Sequence, residues 1–190
     1  MKKQIVAATS NYGKLKEFRE IFSDYEILSI KDLNINIEIE EDLETFEGNA
    51  LKKATEISKH IGLPCISDDS GIMIDFLNGF PGVHTARWMP GTDRDRNIGI
   101  LEKMKDFPQK KRGCSFVTAI AFVDVSKNIS IVKVKSIHGN IATEFRGENG
   151  FGFDEIFELE NGKTFAELTP EERDYFRPRK FALEEIRKEL

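Results

Sequence analysis

Four groups of residues in this chain of 190 residues carry side chains suited to chemistry. The first is Thr9-Ser10-Asn11-Tyr12-Gly13-Lys14, a small polar segment between an apolar run and a helical pattern. Hydroxyls, free backbone N–H groups at a helix start and one ammonium can converge there on an anion such as phosphate. The pattern is not GxxxxGK[ST], and the same residues also make an ordinary capped turn between strand and helix. The second group is the carboxylate set Glu40, Glu41, Asp68 and Asp69. Hard oxygen ligands, few in number and leaving room for water and phosphate oxygens, suit Mg²⁺ bound together with a nucleotide. A solvated acidic stretch around Glu38-Ile39-Glu40-Glu41-Asp42 accounts for Glu40, Asp42 and Glu44. Asp69 is expected at the tip of a turn, held by strands on either side, where a carboxylate suits a general base or a metal ligand.

The third group is Gly147-Glu148-Asn149-Gly150-Phe151-Gly152-Phe153-Asp154. Its glycines allow the backbone to approach a flat ligand on which Phe151 or Phe153 would stack, although phenylalanines also serve simply as core. The fourth is basic: Lys53, Arg87 beside Trp88, and Arg173, Arg177 and Arg179 around Pro178. Clustered guanidinium groups at the start of a helix form an anion pocket, or else a solvated polar face. Lys53 points inward or snorkels. His60, His84 and His138 are scattered and form no grouping with a nucleophile.

Elements that position these groups can be read from the spacing of apolar residues. Residues 5–8 predict a strand, and Leu15, Phe18, Ile21 and Phe22 share one stripe of a helix that follows the polar loop. A second helix is expected over 45–61, on Phe46, Ala50, Leu51, Ala54, Ile57 and Ile61, stopped by Gly62-x-Pro64. Cys65-Ile66 and Ile72-Met73-Ile74 predict two strands around the turn Asp68-Asp69-Ser70-Gly71. Pro90-Gly91-Thr92 precedes a helix carrying Ile98, Leu101 and Met104, and strands over 114–125 and 129–137 form a hairpin through Ser126-Lys127-Asn128. Thr169-Pro170-Glu171-Glu172 starts a short helix with a capping box, and Pro178 ends it and opens a terminal helix carrying Leu183, Ile186 and Leu190. Strands mixed with helices, without repeat or linker, predict one α/β or α+β domain over 1–190 with a single core.

Composition narrows the function classes. Hydrophobic residues make up 39% and charged residues 32%, which supports a packed interior rather than a disordered chain. With 28 Lys and Arg against 33 Asp and Glu the net charge is −5, so a broad cationic face for nucleic acid is not expected. Cys65 and Cys114 show neither CxxC spacing nor a nearby histidine cluster, and a reducing cytoplasm is the expected compartment. The apolar stretch after Met1-Lys2-Lys3-Gln4 is too short for a signal peptide, and no later stretch approaches a membrane span.

In order and spacing, these segments resemble the inosine triphosphate pyrophosphatase family, hydrolases of non-standard purine nucleoside triphosphates. The resemblance covers nearly the whole chain and rests on residues 8–14, Thr45-Phe46 with Asn49-Ala50 and Lys53-Ala54, Ser67-Asp68-Asp69-Ser70-Gly71, Pro81-Gly82-Val83 with Ala86-Arg87, Gly150-Phe151-Gly152-Phe153-Asp154, and Ala166-Glu167-Leu168-Thr169. It implies an elongated single-domain α/β fold with a central mixed β-sheet flanked by helices, two lobes around a nucleotide cleft, a homodimer and dependence on Mg²⁺. The implied activity is hydrolysis of ITP, dITP or XTP to the monophosphate and pyrophosphate. Thr9, Ser10, Asn11 and Lys14 match the triphosphate loop, Lys53 a phosphate contact, Glu41 a metal-site acid, Asp69 the proton acceptor and a metal ligand, and Ser70 a substrate contact. Phe151, Gly152, Phe153 and Asp154 match the loop that holds the base. One departure stands out. The family carries Ser-His-Arg, preceded by a lysine, where this chain has Arg177-Pro178-Arg179 preceded by Arg173. In the family that lysine and the Ser-His-Arg segment help read the purine, so the resemblance implies substrate-binding roles for Arg173 and Arg179. Arg179 is retained and Arg173 keeps the lysine's charge, but Pro178 donates no side-chain hydrogen bond, so a broader base range is the alternative expectation. A nucleotide-binding module without turnover is the rival of another class.

Overall fold

A computed structural model describes residues 2–35, 37 and 39–190. Glu38, read as the start of the acidic stretch, and Met1 lie outside the described residues. In chain order the elements are β1 (Gln4–Ala7), α1 (Tyr12–Ile21), β2 (Glu26–Ser29), α2 (Phe46–Ile61), β3 (Cys65–Ile74), β4 (Phe80–Pro81), α3 (Asp93–Met104), β5 (Gly113–Asp124), β6 (Ile129–Ile141), β7 (Phe157–Glu158), α4 (Pro170–Arg173) and α5 (Pro178–Lys188). The strands form one mixed sheet in the order β2-β1-β3-β5-β6-β7, with β4 paired to β3. β1 runs parallel to β2 and β3, with Val6 opposite Cys65 and Ala7 opposite Ile66, while β4 and β7 pair antiparallel to β3 and β6.

Local signals explain most helix ends. Thr45 caps α2 by accepting from the Gly48 N–H, and Gly62 closes it in the left-handed region at φ 68°. Thr92 and Asp95 form a reciprocal capping box on α3, as Thr169 and Glu172 do on α4, where Pro170 occupies the first turn. Two faces differ from expectation. On α3 the buried residues are Asn97, Ile100 and Met104, and Ile98 points to solvent. On α2 Asn49 and Ser58 are buried in the stripe, whereas Leu51 and Ile61 are only half-buried. Leu190 lies beyond α5 and is exposed. β2, β4 and β7 were not expected, being two to four residues long and too short to show a period.

The largest correction concerns residues 68–71. No turn forms there: Cys65–Ile74 is one continuous strand of 10 residues, and Asp68 and Asp69 sit in its middle. The turn preference of Asp, Ser and Gly is a local effect, and tertiary partners override it. Gly71 shows how tightly the strand is held. A Cβ built on it would lie 2.4 Å from Thr85 Oγ1 and 2.7 Å from the Gly82 carbonyl oxygen. The buried Thr85 hydroxyl accepts from the Ile72 N–H at 3.1 Å and lies 2.6 Å from that carbonyl.

The single core also gives way to two. The chain divides into two compact units, one of Met1–Asp69, Thr118–Lys135 and Pro178–Leu190, the other of Ser70–Val117 and Ser136–Arg177. In the first, Ile5, Phe18, Phe22, Ile66, Leu183 and Ile186 belong to one buried cluster. In the second, Ile72, Ile100, Met104, Ile156 and Phe157 belong to another. β5 and β6, of 12 and 13 residues, run about 40 Å, whereas helices of 10 to 12 residues cover about 15–18 Å, so the two ends of each strand recruit different helices. Within the second unit the fully buried Arg112 donates to the carbonyls of Ile141 at 2.7 Å, Ala142 at 2.6 Å and Met104. It satisfies backbone acceptors that water cannot reach.

Gly71→Ala is expected to destabilise the protein by about 1–3 kcal/mol through overpacking against Thr85. A urea midpoint that drops without change in slope would show this, and an unchanged midpoint would mean that β3 yields at this point.

Candidate active site

The polar loop leaves β1 at its C-terminal end, beside the parallel strand β3, the edge at which open α/β sheets bind ligands. It is an ordinary capped turn and an anion-ready one at once. Asn11 Oδ1 accepts from the Lys14 N–H at 3.1 Å as the N-cap of α1, and Thr9 Oγ1 accepts from the Asn11 N–H at 3.1 Å. Ser10 and Asn11 are exposed, and the first turn of α1 holds no acidic residue to compete with an anion.

Alternation along β3 sends Asp68 and Asp69 to opposite faces of the sheet. Asp68, 2% exposed, faces α1 and α5, and its carboxylate pairs with Lys14 and takes the Arg179 Nε–H at 3.0 Å. Arg179 is itself buried, and its Nη1 lies 3.3 Å from Glu17 on α1. Burial works to raise the Asp68 pKa, but Lys14 and Arg179 outweigh it and hold the carboxyl far below the usual range. The same residue's backbone carbonyl accepts from Lys53 Nζ at 2.7 Å. Asp68 therefore gathers both ammonium groups, one through its side chain and one through its main chain.

Asp69 faces α2 together with Ser67, whose hydroxyl donates to the Ala50 carbonyl. Its carboxylate accepts from Asn49 Nδ2 at 3.1 Å. Burial pushes the Asp69 carboxyl up to about 6, Glu41 and Asp68 add to the rise, and Lys53 and Asn49 oppose it. Lys53, meanwhile, pairs with Glu41. The structure thus joins Lys14, Lys53, Glu41, Asp68 and Asp69 in one network, with Ser70 half-buried next along the strand. Among the described residues no three His, Cys, Asp or Glu side chains are grouped to hold a metal ion. Glu41 and Asp69 form instead a pair of hard oxygen donors whose mutual repulsion a divalent cation would relieve. That donor set fits a Mg²⁺-like ion which takes its remaining oxygens from water and phosphate.

The glycine and phenylalanine loop belongs to the second unit. Phe151 is 49% exposed and free to act as a platform, whereas Phe153 packs against the second core. Asp154 organises the loop by accepting from the Phe151 N–H at 3.0 Å and pairing with Arg173. Gly150 is required where it stands, since its φ is 101° and a Cβ would lie 2.1 Å from Asp154 Oδ2. Asn97 Nδ2 donates to the Gly152 carbonyl at 2.8 Å. Instead of pooling into one anion pocket, the three arginines are divided among carboxylates: Arg173 with Asp154, Arg177 with Asp174, Arg179 with Asp68 and Glu17.

Asn49, Glu17 and Asn97 were not among the residues singled out for a site role. The signal for the two asparagines was a polar residue on a helix stripe otherwise apolar, and for Glu17 there was none. Cys65 and Cys114 are buried thiols, with burial pushing Cys65 up to about 12 and Cys114 higher still.

The raised Asp69 pKa has a consequence for stability. A folded-state value above the ordinary 3.8 means that the folded protein holds this proton more tightly than the unfolded chain, so stability falls as pH rises from about 4 to about 6. Asp69→Asn is expected to stabilise the metal-free protein at pH 8 by about 2–3 kcal/mol and to leave it nearly unchanged at pH 4. Urea unfolding in chelator at the two pH values checks this, and an equal effect at both would contradict it.

A model of the Ham1 family matches residues 5–189. A dITP/XTP pyrophosphatase of Symbiobacterium thermophilum is 40% identical over 183 residues, covering 95% of this chain and 91% of that protein. Another of Bacillus cereus is 39% identical, covering 99% and 95%. Among solved structures, the Staphylococcus aureus Ham1 protein superposes with a TM-score of 0.89 at 33% identity, covering 98% of this chain and 97% of that one. A nucleoside-triphosphatase, or dITP/XTP pyrophosphatase, of Mycobacterium abscessus gives 0.81 at 39% identity, covering 96% and 98%. The α/β fold, the polar loop closing on a buried carboxylate pair and these likenesses agree, and the chain belongs to the Ham1 family.

Proposed function

We propose that this protein hydrolyses non-standard purine nucleoside triphosphates, dITP, ITP and XTP, to the monophosphate and pyrophosphate, and so clears them from the nucleotide pool. The observation that carries this reading is the network in which Asp68 gathers Lys14 and Lys53 beside Asp69 and Glu41. Membership of a family whose relatives bear the name dITP/XTP pyrophosphatase supports it.

In the reaction, Thr9 and Ser10 hydroxyls and the open amides at the start of α1 hold phosphate oxygens. A water oxygen bonds to the α-phosphorus, the bond from that phosphorus to the bridging oxygen breaks, and the water's proton passes to the Asp69 carboxylate. In the metal-free protein burial pushes that carboxyl up to about 6, which brings proton uptake within reach of neutrality. Lys14 and Lys53 offset the charge that collects on the departing pyrophosphate, each contact contributing about 1.5–3 kcal/mol. Glu41 and Asp69 would hold Mg²⁺, which supplies neutralisation of phosphate oxygens and a more acidic bound water. Phe151 would stack on the base and Ser70 would touch the substrate. We further place the protein in the cytoplasm as a homodimer without nucleic acid as a partner. No described helix is long and apolar enough to cross a membrane.

A second reading, the same reaction with a wider base range, is favoured by the end of the chain. Pro178 is buried and brings no side-chain donor, and Arg179, its neighbour, is engaged by Asp68 and Glu17.

Turnover of ITP, XTP, GTP, ATP and pyrimidine triphosphates, with and without Mg²⁺, separates the readings. The purine-selective proposal expects ITP and XTP to lead and pyrophosphate to be the product, while equal rates across the panel would support the wider range. Asp69→Asn is expected to lower kcat by about 10²–10⁴-fold, and pyrophosphate release at wild-type rate in that variant would refute Asp69 as the base.

A further inference from the structure

We propose that the turn following β2 holds the terminal phosphate of the substrate, with Lys31, Asn34 and Ser10 as its donors, so that Lys31 sets a preference for triphosphates over diphosphates. This rests on the reading that water attacks the α-phosphorus beside Asp69 and that the loop after β1 carries the phosphates.

Strand order sets the direction of the tail. β2 and β3 flank β1 in parallel, with Ser29 and Ile66 both opposite Ala7. Ser10, Lys31 and Asp69 stand three, two and three residues beyond that common level, so the loop after β1 lies between the turn after β2 and the acids of β3. Adjacent strands are about 4.8 Å apart, which puts the backbone of the turn about 10 Å from those acids across the sheet. A tail that starts at Asp69 and crosses the β1 loop therefore ends at β2. The turn is held in shape by its own backbone: the N–H groups of Leu33, Asn34 and Ile35 donate to the carbonyls of Ser29 at 3.3 Å, Lys31 at 3.0 Å and Ile30 at 2.9 Å. Asn34 takes the left-handed conformation there, at φ 52°, which asparagine tolerates.

The turn and the loop share a cavity of about 440 Å³, lined by Ser10, Ile30, Lys31, Asn34 and Ile35. Among the described residues, the Lys31 ammonium, the Asn34 carboxamide and the Ser10 hydroxyl have no hydrogen-bond or ion-pair partner. All three can donate, and a phosphate oxygen accepts from each of these types. The one acid of the turn is taken up elsewhere, since Asp32 accepts from the Ser29 N–H at 2.9 Å and lies 3.6 Å from Arg19 Nη2. Lys14 and Lys53 are gathered at β3 by Asp68 and Glu41, which leaves the far end of the tail to Lys31. A diphosphate tail stops short of the turn. Pyrophosphate, the product, carries the terminal phosphate with it and keeps the contact.

The test is Lys31→Met in the full chain, read as kcat and KM for ITP, as the inhibition constants of IMP, IDP and pyrophosphate against ITP, and as pyrophosphate binding by calorimetry. The KM for ITP and both pyrophosphate constants are expected to rise by about five- to tenfold, with kcat and the IMP and IDP constants staying within about twofold. Lys31→Arg, which keeps the charge, is expected to recover most of the loss. Lys3→Met removes the same charge ahead of β1, at the opposite end of that strand, and is expected to move no constant by more than about twofold. An equal rise for ITP and IDP would overturn the proposal in favour of a diffuse attraction, and an unchanged KM with unchanged pyrophosphate binding would remove the subsite. A wild-type protein that binds pyrophosphate but releases none from ITP refutes the proposed hydrolysis and not the subsite, which calorimetry on Lys31→Met still decides. A wild-type protein that binds no pyrophosphate overturns the subsite itself.

Discussion

A carboxylate with 2% exposure in the middle of a strand must have its charge answered from within the protein, and Asp68 is answered three times. Lys14 on α1 and Arg179 on α5 meet its side chain, and Lys53 on α2 meets its carbonyl. Helices on both faces of the sheet are thereby tied to one residue of β3. The desolvation of an acid, a guanidinium and an ammonium is large enough that such a set adds little net stability over an apolar core, yet removing one member is costly. What the arrangement secures is position. The helix start after β1, where an anion can bind, is aligned with the strand that carries the acids.

Asp69 lives under the opposite condition. It lies on the other side of the same strand, with a carboxamide where Asp68 has two cations, and two further acids close enough to raise its pKa. Neighbouring aspartates on one strand are thus pushed in opposite directions by their surroundings, one fixed as an anion and one poised to exchange a proton. Pairs driven apart in this way are a common mark of acid–base sites. The burial of Asp69 beside Glu41 and Asp68, which Lys53 and Asn49 only partly offset, is a cost that the fold tolerates because β3 is clamped elsewhere, by Asp68 on one side and by Thr85 against Gly71 further along.

The second unit solves a different problem, that of presenting an aromatic ring without letting it collapse inward. Phe153 goes into the core and Phe151 stays out because Asp154, Arg173 and Asn97 hold the intervening backbone. Gly150 leaves the space that the Asp154 carboxylate occupies. The loop's glycines and its acid are one device, and neither would shape it alone.

How much of this could be read beforehand follows the range of the forces involved. Periodicity and caps are local, so α1 to within a turn, the helices starting at Phe46, Asp93, Pro170 and Pro178 and the long strands β5 and β6 were legible, as was the family. The turn expected at Asp68-Asp69-Ser70-Gly71 was misjudged because local preference was the only force in view, whereas cations from α1 and α5 and an asparagine from α2 hold the strand straight. For the same reason Glu17 and Asn97 escaped notice, the contact of Asn49 with Asp69 was not foreseen and the arginines were grouped by nearness in sequence. The amino-acid order by itself determined which chemistries this protein carries and where its helices begin, since spacing and capping act over a few residues. Only the tertiary structure decided which carboxylate is locked and which is poised, because a charge in a low-dielectric interior responds to whatever the fold brings within a few ångströms, however distant in the chain.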